Sequence, residues 1–125
     1  MARLLFWKAL FGLAAFDTLH LGQSFRRLHK YVSRWSLREK TPSDDPVQRV
    51  CQAVNYACVL YPKRVLCLQR SVVTTCLLRA CGVPAQMIVG AQILPFKAHA
   101  WTEVNGVPVN EPRDVRKTYE VLDRW

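Results

Sequence analysis

The sequence lacks the cysteine and histidine spacing that marks a structural zinc site. It contains five cysteines and three histidines, yet no two cysteines form a C-x-x-C pair. No histidine stands at ligand spacing from a cysteine pair, so we expect neither a metal nor another cofactor. The number of cysteines is odd and no secretory signal precedes them, which favours a reducing cytoplasm over a disulfide framework.

A long hydrophobic run is also missing. Residues 4–21 are rich in apolar side chains, but Lys8, Asp17 and His20 interrupt them. The uninterrupted run is much shorter than the ~20 residues that a membrane-spanning helix needs. No small-residue cleavage site is followed by a polar mature sequence. These absences predict a cytoplasmic protein without a membrane span or a signal peptide.

Acidic residues are scarce. Nine Asp and Glu stand against 18 Lys and Arg, which gives a formal net charge of +9. Such a charge attracts acidic proteins, anionic peptides and nucleic acids alike. Because the sequence has no helix-turn-helix, finger or knuckle pattern, nucleic acid is not an expected partner. The basic residues within 25–38 are interpreted as a solvated helix face, with docking of an acidic peptide or protein as the alternative.

The predicted elements form one domain. The 125 residues, half of them hydrophobic, suit a single modest core. The polar segment 39–46 separates a helical extension, residues 1–45, from the remaining core, residues 46–125. Periodicity and turn residues predict helices over 4–21, 25–35, 47–61 and 67–81, and strands over 85–91, 98–104 and 107–110 or 111. This order predicts an α+β fold.

Cys67 differs from the other four cysteines by its position. It begins the helix predicted over 67–81, where unpaired backbone N–H groups and the helix dipole favour thiolate over thiol. That helix is apolar throughout, which predicts a central place in the fold. Cys51 and Cys58 share the apolar face of the preceding helix and are interpreted as small buried side chains. Cys67 is therefore the candidate nucleophile.

A cysteine nucleophile needs a base and a group that orients the base. His99 is the one histidine in the region of predicted strands, so it is the candidate base. Asn105-Gly106 predicts a two-residue hairpin that aligns Trp101 with Asn110. Strand alternation then places Asn110 on the His99 face, whereas a bulge would give that place to Glu111.

Two stretches of the sequence resemble the transglutaminase-like protease domain of lasso-peptide B proteins, the leader peptidases of lasso-peptide biosynthesis. They are CLQRSVVTTCLLRACGVPAQMIVGAQ, residues 67–92, and FKAHAWTEVNGVPVNE, residues 96–111. The similarity continues upstream through SFRRLHKYV and DPVQRVCQAVNYACVLYP, so it covers nearly the whole chain. The resemblance is specific because CLxRS and a later F-x-AHAW-x-E must coincide in order and context.

The resemblance implies a transglutaminase-like, papain-like fold with residues 46–125 as the catalytic core. It also implies a cysteine peptidase that cuts between the leader and the core of a ribosomally made precursor. Cys67 would be the nucleophile and His99 the base. The family's third member is an aspartate after the returning strand. Glu111 is the aligned residue here, and Asn110 stays beside it because an amide can orient the histidine in papain-like enzymes.

The resemblance further implies partners. Many B proteins carry a leader-recognition domain ahead of the protease, and the helical residues before Val50 are too few to supply that winged domain as well. The chain is therefore expected to be the stand-alone protease half. It would act on the precursor peptide together with a separate leader-binding protein and the lasso cyclase.

Other functions remain open at the level of sequence. A noncatalytic peptide-binding adaptor of the same fold is supported by Glu111 in place of aspartate. An acyltransferase or transglutaminase would use the same residues, and a basic membrane-surface or nucleic-acid module would use residues 25–38. The backbone N–H of Cys67 is the expected oxyanion donor, with Gln52 and Gln69 as candidates for the second. Trp101 is expected either to shield the imidazole or to fill the core.

Overall fold

The computed structural model describes residues 2–18, 26–27, 30, 32, 46–62, 65–93, 95–110 and 115–125. Its helices are α1 (Ala2–Thr18), α2 (Pro46–Leu60), α3 (Cys67–Ala80) and α4 (Val115–Thr118). Its strands are β1 (Ala85–Gln92), β2 (Lys97–Val104), β3 (Val107–Val109) and β4 (Glu120–Arg124). They form one antiparallel sheet in the order β3-β2-β1-β4. The predicted α+β fold is confirmed.

Part of the predicted helical extension cannot be compared with the structure. Residues 26–27, 30 and 32 are helical, in agreement with the helix predicted over 25–35. The remainder of that helix, residues 19–21 and the loop over 39–45 lie outside the described residues. Val32 is fully buried, so at least one residue of this stretch contributes to the core.

Helix α3 ends where glycine permits a left-handed backbone. Gly82 has a φ of 85°, a backbone angle that residues with a Cβ rarely adopt. The N–H of Val83 bonds to the C=O of Leu78 at 2.9 Å, and the N–H of Gly82 bonds to the C=O of Arg79 at 3.1 Å. These two bonds make a Schellman motif that satisfies the last carbonyl groups of the helix. The end predicted at Gly82 is confirmed.

The turn sequence Asn105-Gly106 forms the predicted hairpin between β2 and β3. Both residues have positive φ, 51° and 79°, as a type I′ turn requires. The ladder pairs Val104 with Val107 and ends where Thr102 pairs with Val109. Asn110 also has positive φ, 59°, which turns the chain out of the strand earlier than predicted.

Helix α3 is central, as its composition predicts. Its residues from Ser71 to Leu78 are all buried. On one side it packs against α1 and α2 through Leu13, Val54 and Leu78, and on the other it covers the sheet. The Ser71 hydroxyl donates to the C=O of Ala100 at 2.9 Å, which fixes the N-terminal part of α3 against the middle of β2.

A second polar contact sets the rotation of α3 on the sheet. Thr102 donates its hydroxyl hydrogen to the C=O of Ser71 at 3.2 Å, so it accepts from the hydroxyl of Thr75 at 3.0 Å. All three residues are buried. Because buried hydroxyl groups without partners are costly, this register of helix on strand is strongly specified.

Helix α1 exposes part of its apolar surface. Ala9 and Leu13 are fully buried, but Leu4, Trp7 and Phe11 are 57%, 53% and 70% exposed. The helix therefore has an apolar outer face as well as an apolar inner one. Among the described helices, none has both the length and the hydropathy that crossing a membrane requires.

Candidate active site

Cys67 is the first residue of α3, and Leu66 before it is extended with φ −87° and ψ 164°. The sulfur is partly buried and lies within hydrogen-bonding reach of the His99 side chain. The bond from His99 is the largest influence on the pKa of the Cys67 thiol and lowers it. Burial works in the opposite direction, and the backbone N–H groups of Ala100 and Leu68 lower the pKa further. The predicted pair of Cys67 and His99 is thus brought together.

Two other cysteines have the opposite electrostatics. Burial raises the pKa of the Cys76 thiol to about 12. Burial also raises the pKa of the Cys58 thiol, although the charge of Arg70 partly offsets it. A thiol with a raised pKa is a weak nucleophile at neutral pH because little of it is thiolate. The contact with His99, which lowers the pKa of the Cys67 thiol, therefore gives Cys67 a reactivity that these two lack.

Two aromatic rings pack against the His99 imidazole. Trp101 stacks on it with 5.8 Å between ring centroids and 25° between planes. Tyr119 lies 5.1 Å from it at 32°. The two rings are themselves 6.3 Å apart, so the three rings form one cluster that restricts the orientation of the imidazole. Nothing in the local sequence of Tyr119 connects it to a strand earlier in the chain, so it was not among the predicted site residues.

Trp101 is fixed by packing and by a hydrogen bond. It is fully buried, and its indole N–H donates to Oε2 of Glu103 at 2.8 Å. Beneath the ring, a Cβ added to Gly90 would lie 2.8 Å from two of its carbon atoms. Glycine is therefore required opposite His99 in the ladder. Both alternatives expected for Trp101 hold, because the ring fills the core and also covers the imidazole.

Glu103 is a buried carboxylate that the sequence analysis missed as part of the site. It is 1% exposed, and its Oε1 accepts from Arg124 of β4 at 3.0 Å. Its two oxygens thus each have a partner, one neutral and one cationic. Since an unpaired buried charge is strongly destabilising, both partners are needed to keep the carboxylate in place.

We expect Glu103→Ala to lower the free energy of unfolding by about 2–4 kcal/mol, because it leaves the buried Trp101 N–H without an acceptor. Glu103→Gln keeps an oxygen for that N–H, so its loss should be about half as large. Urea unfolding followed by tryptophan fluorescence measures both. Equal losses in the two variants would show that the charge, and not the acceptor, carries the effect.

Asn110 is engaged elsewhere. Its amide forms a reciprocal pair with Asn55 of α2, with N···O distances of 2.9 and 3.0 Å. This pair ties the end of β3 to α2 and uses both atoms of the Asn110 amide. Glu111 lies outside the described residues, so its role remains a prediction.

The two glutamines considered for the oxyanion differ in position. Gln69 is buried, and its amide donates to the C=O of Leu13 at 2.8 Å and to Asp17 at 3.3 Å. Its donors are used on α1, so the assignment of Gln69 as an oxyanion donor is wrong. Gln52 is exposed and lines an open cleft beside Asn55 and Asn110.

The described residues contain no cluster of three or more His, Cys, Asp or Glu side chains that could hold a metal ion. The site itself supplies a thiol of lowered pKa, an imidazole beside it and backbone N–H groups around the sulfur. Such a set can form and break an acyl bond to sulfur.

A family model described as the transglutaminase-like superfamily matches residues 10–124. The match includes Cys67, His99 and the whole sheet. No curated protein matches the chain, and no solved structure does.

Proposed function

Because the chain belongs to the transglutaminase-like superfamily, which includes cysteine peptidases, we propose that it is a cysteine peptidase of lasso-peptide biosynthesis. It removes the leader from a ribosomally made precursor, in the cytoplasm. A separate leader-binding protein presents the precursor, and the lasso cyclase receives the core. The specific assignment to lasso peptides rests on the resemblance of residues 67–92 and 96–111.

One observation carries the peptidase proposal: the His99 side chain lies beside the Cys67 sulfur at the start of α3, and this contact lowers the pKa of the thiol. An imidazole in this place can take the thiol proton, so that a thiolate and an imidazolium form side by side. The helix dipole and the N–H groups of Leu68 and Ala100 stabilise the negative charge. The rings of Trp101 and Tyr119 pack against the imidazole and restrict its orientation.

The reaction then has two halves. The Cys67 thiolate attacks the carbonyl carbon of the bond between leader and core, and His99 gives its proton to the departing amine as the C–N bond breaks. A thioester between Cys67 and the leader remains. His99 next takes a proton from water, whose oxygen attacks the thioester, and the leader leaves as a carboxylate while the thiol is restored.

Glu111 is proposed as the residue that orients His99, since the amide of Asn110 is already paired with Asn55. We expect Glu111→Ala to lower kcat about 100-fold, while Glu111→Asp, the residue usual in the family, keeps most of the activity. Asn110→Ala should leave kcat within about threefold and instead cost about 1–2 kcal/mol of stability. Kinetics and urea unfolding of the three variants separate these effects. The opposite order of kcat values would return the role to Asn110.

The experiment that tests the function combines the protein, its precursor peptide and the leader-binding protein, and measures the products by mass. Free leader with a carboxylate end, together with free core, is the expected result. Intact precursor under all conditions would reject the peptidase and favour the adaptor.

An acyltransferase is the second candidate, because transglutaminase-like enzymes commonly include transferases as well as hydrolases. In that case an amine, and not water, attacks the thioester. The same mass measurement with added methylamine distinguishes the two. A leader that gains methylamine in preference to water would favour the transferase.

A further inference from the structure

The sheet extends past the beginning of α3. The first turn of α3 contacts β2 at Ala100, through the Cys67 sulfur and the Ser71 hydroxyl. Beyond Ala100 the ladder between β1 and β2 continues for three more pairs, of which the last two are Ala91 with Ala98 and Gln92 with Lys97. These pairs therefore form a ledge in front of the helix N-terminus.

The side of the ledge that faces the helix is apolar. Thr102 contacts α3 with its side chain, and alternation places Ala100 and Ala98 on the same side. Ala98 is exposed and its partner Ala91 is partly exposed. Two small side chains next to the nucleophile leave room for another chain to lie against the sheet.

Large apolar side chains stand at the end of the ledge. Ile93 and Phe96 are 72% and 76% exposed, and they are the first and last residues of the turn between β1 and β2; we call this pair the apolar tip. Leu66, which directly precedes Cys67, is 63% exposed. Exposed apolar side chains concentrated beside a nucleophile indicate a binding surface.

The edge of β2 offers main-chain bonds at the same place. Within the described residues, the ladder with β3 ends at Thr102. Beyond it, Ala100 directs its N–H to Cys67 and its C=O to Ser71. Residues two apart in a strand direct these groups to the same edge, so Ala98 directs its own toward the side where a peptide must approach Cys67. An extended peptide can add to a sheet edge in this manner.

We propose that the apolar tip, with Leu66, is a specificity subsite that binds an apolar side chain of the peptide substrate. This inference rests on the proposed function. At ~3.3 Å per residue, Phe96 lies about 10 Å along the strand from His99. An extended substrate spans that distance with about three residues, so the apolar side chain stands about three or four residues from the bond that is cut.

The test uses alkylation of Cys67 by two iodoacetamides that differ only in their N-linked tail. One tail is phenylbutyl and the other is methoxyethoxyethyl, which has similar length but is polar. Peptide mapping by mass gives the rate at Cys67 separately from the other cysteines. We expect the phenylbutyl reagent to react about tenfold faster with the wild-type protein. In the double variant Ile93→Ser/Phe96→Ser the advantage should fall to within about twofold.

The controls isolate the subsite from the nucleophile. Unsubstituted iodoacetamide should react equally fast with the wild type and the double variant, because neither residue contacts the sulfur. Val59→Ser/Leu122→Ser removes two apolar side chains that are 81% and 66% exposed elsewhere, and it should keep the full advantage. An advantage that is absent in the wild type, or unchanged in the double variant, would overturn the proposal.

The same measurements separate this proposal from its premise and from another occupant. Alkylation needs only the nucleophile, so a lost precursor cleavage with a retained tail preference would reject the peptidase and keep the apolar subsite. The molar mass in solution should be the same for the wild type and the double variant. A dimer that dissociates in the double variant would show instead that a second copy covers the tip.

Discussion

We expect the replacement of Cys67 by alanine to abolish the leader release proposed above. The thioester cannot form without the sulfur, so we expect the cleavage rate to fall at least about 10³-fold, as it does when the nucleophile of a comparable catalytic unit is removed. Fold stability should change little, because the side chain is only partly buried and alanine is a good helix former. The measurement is the mass of the products formed from the precursor in the presence of the leader-binding protein.

The matched control is Cys81→Ala. Cys81 is also partly buried and follows the opposite end of α3, so it controls for the loss of a thiol without changing the site. We expect its cleavage rate to remain within about twofold of the wild type, since changes far from a site act independently of it. Normal cleavage by the Cys67 variant would refute the assignment of the nucleophile.

The second large effect is expected at His99. His99→Gln removes the proton acceptor but keeps a polar side chain of similar size beside Trp101 and Tyr119. General acid–base catalysis contributes about 10²–10⁴-fold, so kcat should fall by that factor while KM stays nearly constant. The loss should be greatest at low pH, because the thiol then has neither the hydrogen bond that lowers its pKa nor a base to take its proton.

His20→Gln and His29→Gln are controls for the loss of a histidine, and both should leave kcat unchanged. If His99→Gln instead raises KM and leaves kcat unchanged, His99 binds substrate without transferring a proton.

The parts of the fold that the sequence predicted are those with strong local signals. Gly82 and Asn105-Gly106 stand where the backbone needs positive φ, and such needs are visible in single residues. Helix α4 and strand β4 were missed. Strand β4 is mostly exposed, and it is held by pairing with β1 and by Trp125, whose N–H and C=O bond to Met87. Those partners are distant in sequence, so no local pattern reveals them.

The site shows the same division. Local sequence signals placed Cys67 where a loop ends and a helix begins. Its pairing with His99 was inferred from the order of the elements and from the resemblance. The contacts that hold the site cannot be deduced in this manner. Glu103 meets Arg124 of another strand, and Asn110 meets Asn55 across 55 residues. Strand alternation placed Asn110 on the His99 face. Alternation carries no information about other elements, so it could not show that Asn55 of α2 pairs with the same amide.

The most direct test of the central claim, that Cys67 and His99 act as a pair, is the rate of Cys67 alkylation by iodoacetamide as a function of pH. Only the thiolate reacts, so the inflection of the profile reports the pKa of the thiol. The hydrogen bond from His99 lowers that pKa, and we expect the wild-type inflection to lie below that of an ordinary cysteine. In His99→Gln it should move to higher pH. Coinciding profiles for the two proteins would contradict the pairing.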